Sequence, residues 1–315
     1  MSKIKLNQQT LDDLKKDMPE VERYRKTKLK ELKISAVCLL ICGCYLGYYG
    51  FSVLNENTSL ALVIWLGLIV SSYHILKRPL LNYNSVYKSK VIPSLLRSLP
   101  GNFKYRVAGF IKLNEISKFS LMNKCIYSVN SQEGEDLFAG KVDDVEIKFS
   151  EVKYKKVKFS EFRKKKTTQY QGLVVLLTFP FKFESHNIIS TKLKNTKSLN
   201  LDLKKARVDD HTFSELYSVF TNDQEDISKI LTPAALTRII ALTEKGYLLD
   251  KYKSLNIEIE FLNNQVLIKL SSSEDMFEPL DLSISAYDKK SLAGIIKQVG
   301  ILVNLAKQLK LDYTK

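Results

Sequence analysis

Asp209-Asp210-His211 is the stretch whose residue types come nearest to a reactive site, with Asp223, Glu225 and Asp226 a short distance downstream. Carboxylates beside an imidazole are the material of general acid–base hydrolysis or of a cation site. Their spacing points first to something plainer. Consecutive aspartates make turns, and an aspartate just before a helical run caps it. Zinc sites draw on more nitrogen and sulfur than is available here: the histidines are His74, His186 and His211, and His74 ends an apolar run. Cys38, Cys42 and Cys44 also lie in an apolar run, and Cys125 stands alone. Cys38 and Cys42 share a helix face, but no further ligands accompany them, and no disulfide framework follows from the spacing. The chain has no Walker loop, dinucleotide fingerprint, Gly-x-Ser-x-Gly elbow or His-Glu-x-x-His. The expectation is therefore no cofactor, no metal and no assigned catalytic residue.

The most unusual composition is residues 153–166, with Lys153, Lys155, Lys156, Lys158, Arg163, Lys164, Lys165 and Lys166 interleaved with Tyr154, Phe159 and Phe162. Three readings compete. A polybasic loop gains about 1 kcal/mol per cation near an anionic leaflet. A nucleic-acid groove sets lysines on phosphates and aromatics on bases. A lysine-rich strand pair is simply solvated and protected against edge pairing. Lys192, Lys194, Lys197, Lys204, Lys205 and Arg207 form a second basic stretch that would widen the patch. The formal charge is +15 over 315 residues. In a membrane-anchored chain the anionic leaflet is a simpler partner for that charge than nucleic acid.

The anchor is read from residues 34–76. The run 34–54 has no charge and, at about 1.5 Å per residue, makes a helix of roughly 31 Å, the thickness of a hydrocarbon core. The run 60–76 is shorter, and Asn55-Glu56-Asn57-Thr58-Ser59 separates the two. Lys3, Lys5, Lys15, Lys16, Arg23, Arg25, Lys26, Lys28, Lys30 and Lys33 precede the first run; Lys77, Arg78, Lys88, Lys90 and Arg97 follow the second; the loop between has no cation. The positive-inside rule then places both termini in the cytoplasm.

The expected organisation is a charged helical arm (1–33), a transmembrane hairpin (34–77), a juxtamembrane helical segment (78–122) and a cytoplasmic α+β domain (123–315). Residues 84–99 read as a helix disturbed by Pro93, and 113–122 as a short helix. Residues 134–140 read as turn, and 142–158 alternate as a strand. The apolar run 172–179 suits a strand buried on both faces. Short strands are expected at 187–190, 198–203 and 214–220, helices at 226–230 and 233–243, and a hairpin of 255–261 with 265–271. A long amphipathic helix over 289–311 closes the chain. The fold class is α+β: a two-helix hairpin, then a mostly antiparallel, strand-rich domain.

The succession Gly134-Glu135-Asp136-Leu137-Phe138-Ala139-Gly140, Ile147-Lys148-Phe149-Ser150-Glu151-Val152, Tyr170-Gln171-Gly172-Leu173, Asp209-Asp210-His211-Thr212-Phe213, Tyr217-Ser218-Val219-Phe220-Thr221-Asn222-Asp223 and Ile230-Leu231-Thr232-Pro233 resembles an uncharacterised bacterial membrane-anchored family, domain of unknown function thirty-one thirty-seven. The resemblance implies a bacterial inner-membrane protein with a two-span anchor and a cytoplasmic domain, and supplies no catalytic residues. The expected function is non-enzymatic: the domain binds an unidentified protein or an anionic lipid at the membrane surface, with residues 153–166 facing the partner. The alternative is a membrane-anchored hydrolase that gathers Asp209, His211 and Asp223.

Overall fold

The computed structural model describes residues 8–53, 58–97, 99–160, 163–191, 193–243, 256–272, 277 and 282–313. The chain forms two compact units, one chiefly of Leu95–Phe277 and Ala293–Lys315, the other of Leu6–Ser94 and Glu278–Leu292.

The first unit is built on one antiparallel sheet. Its strands are β1 (Lys104–Arg106), β2 (Ser131–Val142), β3 (Val145–Ser160), β4 (Arg163–Thr178), β5 (Asn187–Ser190), β6 (Lys204–Lys205), β7 (Ser218–Thr221), β8 (Asn256–Leu262) and β9 (Gln265–Ser271), in the order β1-β2-β3-β4-β9-β8-β5-β7-β6. Asp143 and Asp144 turn β2 into β3 with φ of 48° and 66°, the left-handed geometry that a tight hairpin needs. The run Leu173–Leu177 of β4 is buried throughout, as its unbroken apolar sequence requires of a strand covered on both faces. On one face the segment from Ile111 to Cys125 packs against Tyr154, Val174, Ile188, Phe220 and Leu267. Elsewhere in the core Phe138 stacks on Phe149, centroids 4.5 Å apart, and both meet Phe277.

Strand β8 alternates Ile257, Ile259, Phe261 with Glu258, Glu260. The polar row is not left to water. Glu260 is fully buried and accepts hydrogen bonds from the Ser120 and Leu121 amides at 2.9 and 2.8 Å, with His186 Nε2 at 2.8 Å. Lys269 of β9 donates to the Leu121 carbonyl at 3.0 Å and to Glu258 at 2.9 Å. Two 3-10 turns, Leu113–Glu115 and Ser120–Met122, with the short helix here numbered α4 (Asn123–Ile126), replace the single helix expected over 113–122.

Other elements depart from the pattern read in sequence. Residues 134–140 are strand, not turn: they belong to β2, whose register shifts between Glu135 and Phe138. Residues 198–203 contain a 3-10 turn (Lys197–Leu199) and no strand. The segment 214–220 divides into helix α5 (His211–Leu216) and β7, because Asp210 accepts the Phe213 amide at 2.8 Å and starts a helix. Helices α6 (Gln224–Ile230), α7 (Pro233–Thr243) and α8 (Lys289–Tyr313) lie where their patterns place them. Among the described residues, Lys289–Lys310 is the one helical stretch that satisfies a membrane span by length and composition. Its apolar residues Ile296, Val299, Leu302, Val303 and Ala306 are buried, as in a core helix.

The second unit is helical: α1 (Gln8–Asp17), α2 (Pro19–Val53) and α3 (Thr58–Leu96). The helix expected over 84–99 is not separate. It is the last part of α3, which runs through Pro79 and Pro93. Each proline costs a ladder bond, and burial of Val91, Ile92, Leu95 and Leu96 offsets the second. A hook joins the start of α2 to the residues before α8. Arg25 donates to the Leu282 carbonyl and pairs with Glu22 at 2.7 Å, Glu22 accepts the Ala286 amide at 3.0 Å, and Tyr287 donates to the Met18 carbonyl. Farther along, the surface changes character. Leu40, Ile41, Tyr45 and Tyr48 of α2, and Val63, Leu66, Ile69, Val70 and Tyr73 of α3, are each more than half exposed. Residues 54–57, most of the loop between the two apolar runs, lie outside the described residues.

Two expectations follow. Replacing Glu260 by Ala orphans two buried amides, at about 1–3 kcal/mol each. Chemical denaturation of E260A should therefore lose on the order of 3 kcal/mol, and E260Q, with one acceptor oxygen, about half of that. The second concerns Glu22. Burial works to raise its pKa, but the hydrogen bonds from Arg25, Ala286 and Ser285 outweigh that, and the net shift is below the ordinary value of 4.5. A depressed carboxylate contributes stability that is complete above its unfolded pKa and is lost as pH falls through the folded one. The Tm difference between wild type and E22Q should be constant above about pH 5.5, shrink below pH 4.5 and vanish in stronger acid. A difference independent of pH would refute the hook's ionic character.

Candidate functional site

Strands β3 and β4 are longer than their neighbours in the sheet. Pairing of β2 with β3 ends at Ser131 opposite Lys155, and pairing of β9 with β4 at Ser271 opposite Gly172. Beyond those points β3 and β4 continue as a two-stranded ribbon, with Lys156 opposite Thr167, Val157 opposite Lys166 and Lys158 opposite Lys165. A register shift between Tyr154 and Lys155 marks where the ribbon leaves the sheet. Asn130 holds that point. Its side chain donates to the Val157 carbonyl at 2.8 Å and accepts the Val157 amide at 2.7 Å, and its backbone amide meets the Lys155 carbonyl at 3.1 Å. A side chain thus stands in for one more residue of β2.

The eight basic residues singled out in the sequence divide along this ribbon. Lys158, Lys165 and Lys166 are exposed; Lys153 and Lys156 are half-buried. Lys155 is paired with Glu133 and is 12% exposed, so its charge is largely spent within the fold. The hydrogen bond from Lys155 holds the Glu133 carboxyl below its ordinary range. Arg163 and Lys164 begin β4, at register positions opposite Ser160 and Phe159. Residues 161 and 162, including Phe162, lie outside the described residues. Phe159 is 75% exposed. A large aromatic is thus mostly exposed beside exposed Lys158.

Of the second basic stretch, Lys204 and Lys205 do not widen the patch, and Lys192 lies outside the described residues. Lys204 and Lys205 form β6, at the far edge of the sheet with β9, β8, β5 and β7 between it and β4. Five strand spacings of about 4.8 Å put it roughly 24 Å across the sheet.

At the base of the ribbon is a cleft of about 450 Å³ lined by Glu133, Gly134, Glu135, Glu151, Lys153, Gln171, Gly172 and Ser272 among others. Three segments that are far apart in sequence meet here: Gly134-Glu135 on β2, Glu151-Val152 on β3 and Gln171-Gly172 on β4. Backbone proximity explains the glycines. A Cβ on Gly134 would come within 2.5 Å of the Glu151 carbonyl, and one on Gly172, whose φ is +147°, within 2.1 Å of the Leu270 carbonyl. Sequence reading missed this cleft because it placed residues 134–140 in a turn.

Three of the carboxylates considered for catalysis have structural roles. Asp210 and Asp223 cap α5 and α6; Asp223 accepts the Glu225 amide at 2.8 Å. Asp226 is buried, accepting from the Ser185 amide at 3.0 Å and from Tyr313 at 2.9 Å. His211 is exposed beside Glu215 at 3.5 Å. His186 is a partner of buried Glu260. Among the described residues no group of three or more histidine, cysteine or acidic side chains is arranged to hold a metal ion.

Comparison with curated proteins gives no match. Among solved structures, the chain is similar to the crystal structure of the mycobacterial trehalose monomycolate transport factor A, TtfA, at 9% sequence identity and a TM-score of 0.31, over 68% of this chain and 92% of that one; so loose a likeness carries no argument. Residues 168–311, from β4 into α8, match the family model described as a protein of unknown function (DUF3137).

Proposed function

We propose that the chain is a non-enzymatic protein of a bacterial inner membrane, anchored by a helical hairpin, whose α+β domain engages a protein or anionic-lipid partner at the membrane surface. In this reading residues 34–54 and 60–76 cross the bilayer, and the arm and the domain are both cytoplasmic. The observation that carries it is the apolar exposure along α2 and α3. Burying such a side chain is worth about 1.5–3 kcal/mol, and contiguous exposure of this kind marks a membrane or protein contact. The cations support the orientation. Arg25 and Lys88 are buried within the helical unit, but Lys26, Lys30, Lys77, Arg78, Lys90 and Arg97 remain exposed on the flanks.

The ribbon supplies the surface contact. Lys158, Lys165 and Lys166 would lie among anionic headgroups and Phe159 at the interface.

Alkaline carbonate should leave the chain in the membrane fraction; release into the supernatant would sink the anchor. A cysteine introduced at Asn55, with the four native cysteines replaced, should react with an impermeant label only from the non-cytoplasmic side. For the ribbon, the full chain in lipid nanodiscs should carry an environment-sensitive dye at Phe159→Cys. Its emission should shift to the blue in discs rich in anionic lipid and revert in about 1 M salt, where screening falls to about 3 Å. Combining Lys158→Gln, Lys165→Gln and Lys166→Gln should weaken the contact by about 3 kcal/mol, roughly a hundredfold. Equal emission in anionic and zwitterionic discs would remove the lipid from this reading and leave a protein partner.

A further inference from the structure

We infer that a cleft between α2 and α3, at the edge of the two apolar runs, binds the phosphodiester of a membrane glycerophospholipid. The inference rests on the hairpin reading above. The cleft measures about 380 Å³ and lies between Glu31, Ile34 and Ser35 on α2 and Ile75, Arg78, Pro79 and Asn82 on α3. That volume falls in the range of about 300–1,000 Å³ typical of small-molecule sites.

Three of its four polar side chains are uncommitted. Arg78, Ser35 and Asn82 make no side-chain hydrogen bond or ion pair among the described residues. Glu31 is engaged by Lys28, whose ammonium approaches its two oxygens at 2.8 and 2.7 Å. The carboxylate is thereby neutralised, and Arg78 is left as the net charge of the cleft. A guanidinium fork matches a phosphate in charge and geometry, and a hydroxyl and an amide beside it add donors. The backbone contributes an acceptor. Pro79 has no amide hydrogen, so the helical bond that would close on the Ile75 carbonyl is not made. That carbonyl, on a residue lining the same cleft, suits a headgroup hydroxyl or ammonium.

Depth selects a lipid over a soluble phosphate ester. Ile34 and Ile75 are 53% and 42% exposed. They stand at the ends of the apolar runs 34–54 and 60–76, where the glycerol and the first acyl carbons of a phospholipid lie.

The test is native mass spectrometry of the full chain released from mild detergent micelles. The probes are phosphatidylglycerol, a diacylglycerol of the same acyl chains, and inorganic phosphate. One phosphatidylglycerol should be retained and the diacylglycerol should not. Arg78→Gln should weaken retention about tenfold, the loss of one charge-assisted hydrogen bond, and Asn82→Leu by less. Arg97→Gln, just past the end of α3 and outside the cleft, should match wild type. Equal binding of diacylglycerol, equal effects of Arg78→Gln and Arg97→Gln, or inorganic phosphate binding as tightly as the lipid would each overturn the site. Release by carbonate would instead overturn the hairpin, so the two failures are distinguishable.

Discussion

A carboxylate buried at the middle of the sheet is the constraint on which the larger unit depends. Glu260 is fully buried, and taking such a charge out of water is costly unless it is paired and hydrogen-bonded. It meets two amides and an imidazole. All three partners must be in place together, so the turn at Ser120–Met122 is fixed over strand β8. That turn brings Phe119, Leu121, Met122 and Cys125 onto the sheet, where they join Tyr154, Val174 and Leu267 in one core cluster. Burial also pushes the Cys125 thiol above its ordinary pKa, consistent with a packing role. A polar anchor thus specifies where an apolar cover lies. The cover in turn makes β4 a strand buried on both faces, and only a strand so held can extend into a ribbon without fraying.

The ribbon reconciles two demands that oppose one another. A bare two-stranded extension is marginal in water, and lysines facing each other across it, as Lys158 and Lys165 do, repel. Asn130 adds backbone-like hydrogen bonds at the root, and Tyr154 fastens the inner end by donating to the Ile111 carbonyl at 2.8 Å. Beyond that root Lys158, Lys165 and Lys166 are exposed. Lys155 is committed to Glu133, but the outer lysines face solvent. An anionic surface would relieve the repulsion that the fold itself leaves in place, and a strand edge so charged resists pairing with a second copy.

What the sequence revealed depended on whether a residue's environment was local. The apolar run of β4, the Asn263-Asn264 hairpin and the apolar stripe of α8 are set by near neighbours, and each was legible. The strand across Gly134–Gly140 was not. Its glycines suggested a turn, yet they are there because Phe110 and the Glu151 carbonyl approach Gly134, and Phe103 approaches Gly140. Nothing within seven residues of sequence records that. The Asp210 cap was visible, but the alternation of 214–220 was given more weight than the cap, and the helix was lost. Of the basic segment, composition identified the residues. Only the register separated spent lysines from presented ones, and only the sheet order placed Lys204 and Lys205 on the opposite edge.

The helical unit carries the same logic in the reverse direction. At its inner end the polar groups of the hook are answered: Arg25 by Glu22 and a carbonyl, Glu22 by Arg25 and the Ala286 amide, Tyr287 by a carbonyl. A few turns away large apolar side chains, Leu40 and Ile41 on α2 and Leu66 and Ile69 on α3, are more than half exposed. Within one continuous helix the backbone pattern runs on across that boundary; what changes is the side chains, and the proposed anchor accounts for that change by a change of medium. A helix satisfies its own amides and needs nothing from hydrocarbon, whereas the polar hook would be costly there. In the proposed anchor Pro79 falls at this boundary, where water or a headgroup would repair the broken ladder bond. The same residue one or two turns deeper would leave its carbonyl partner unpaired in lipid.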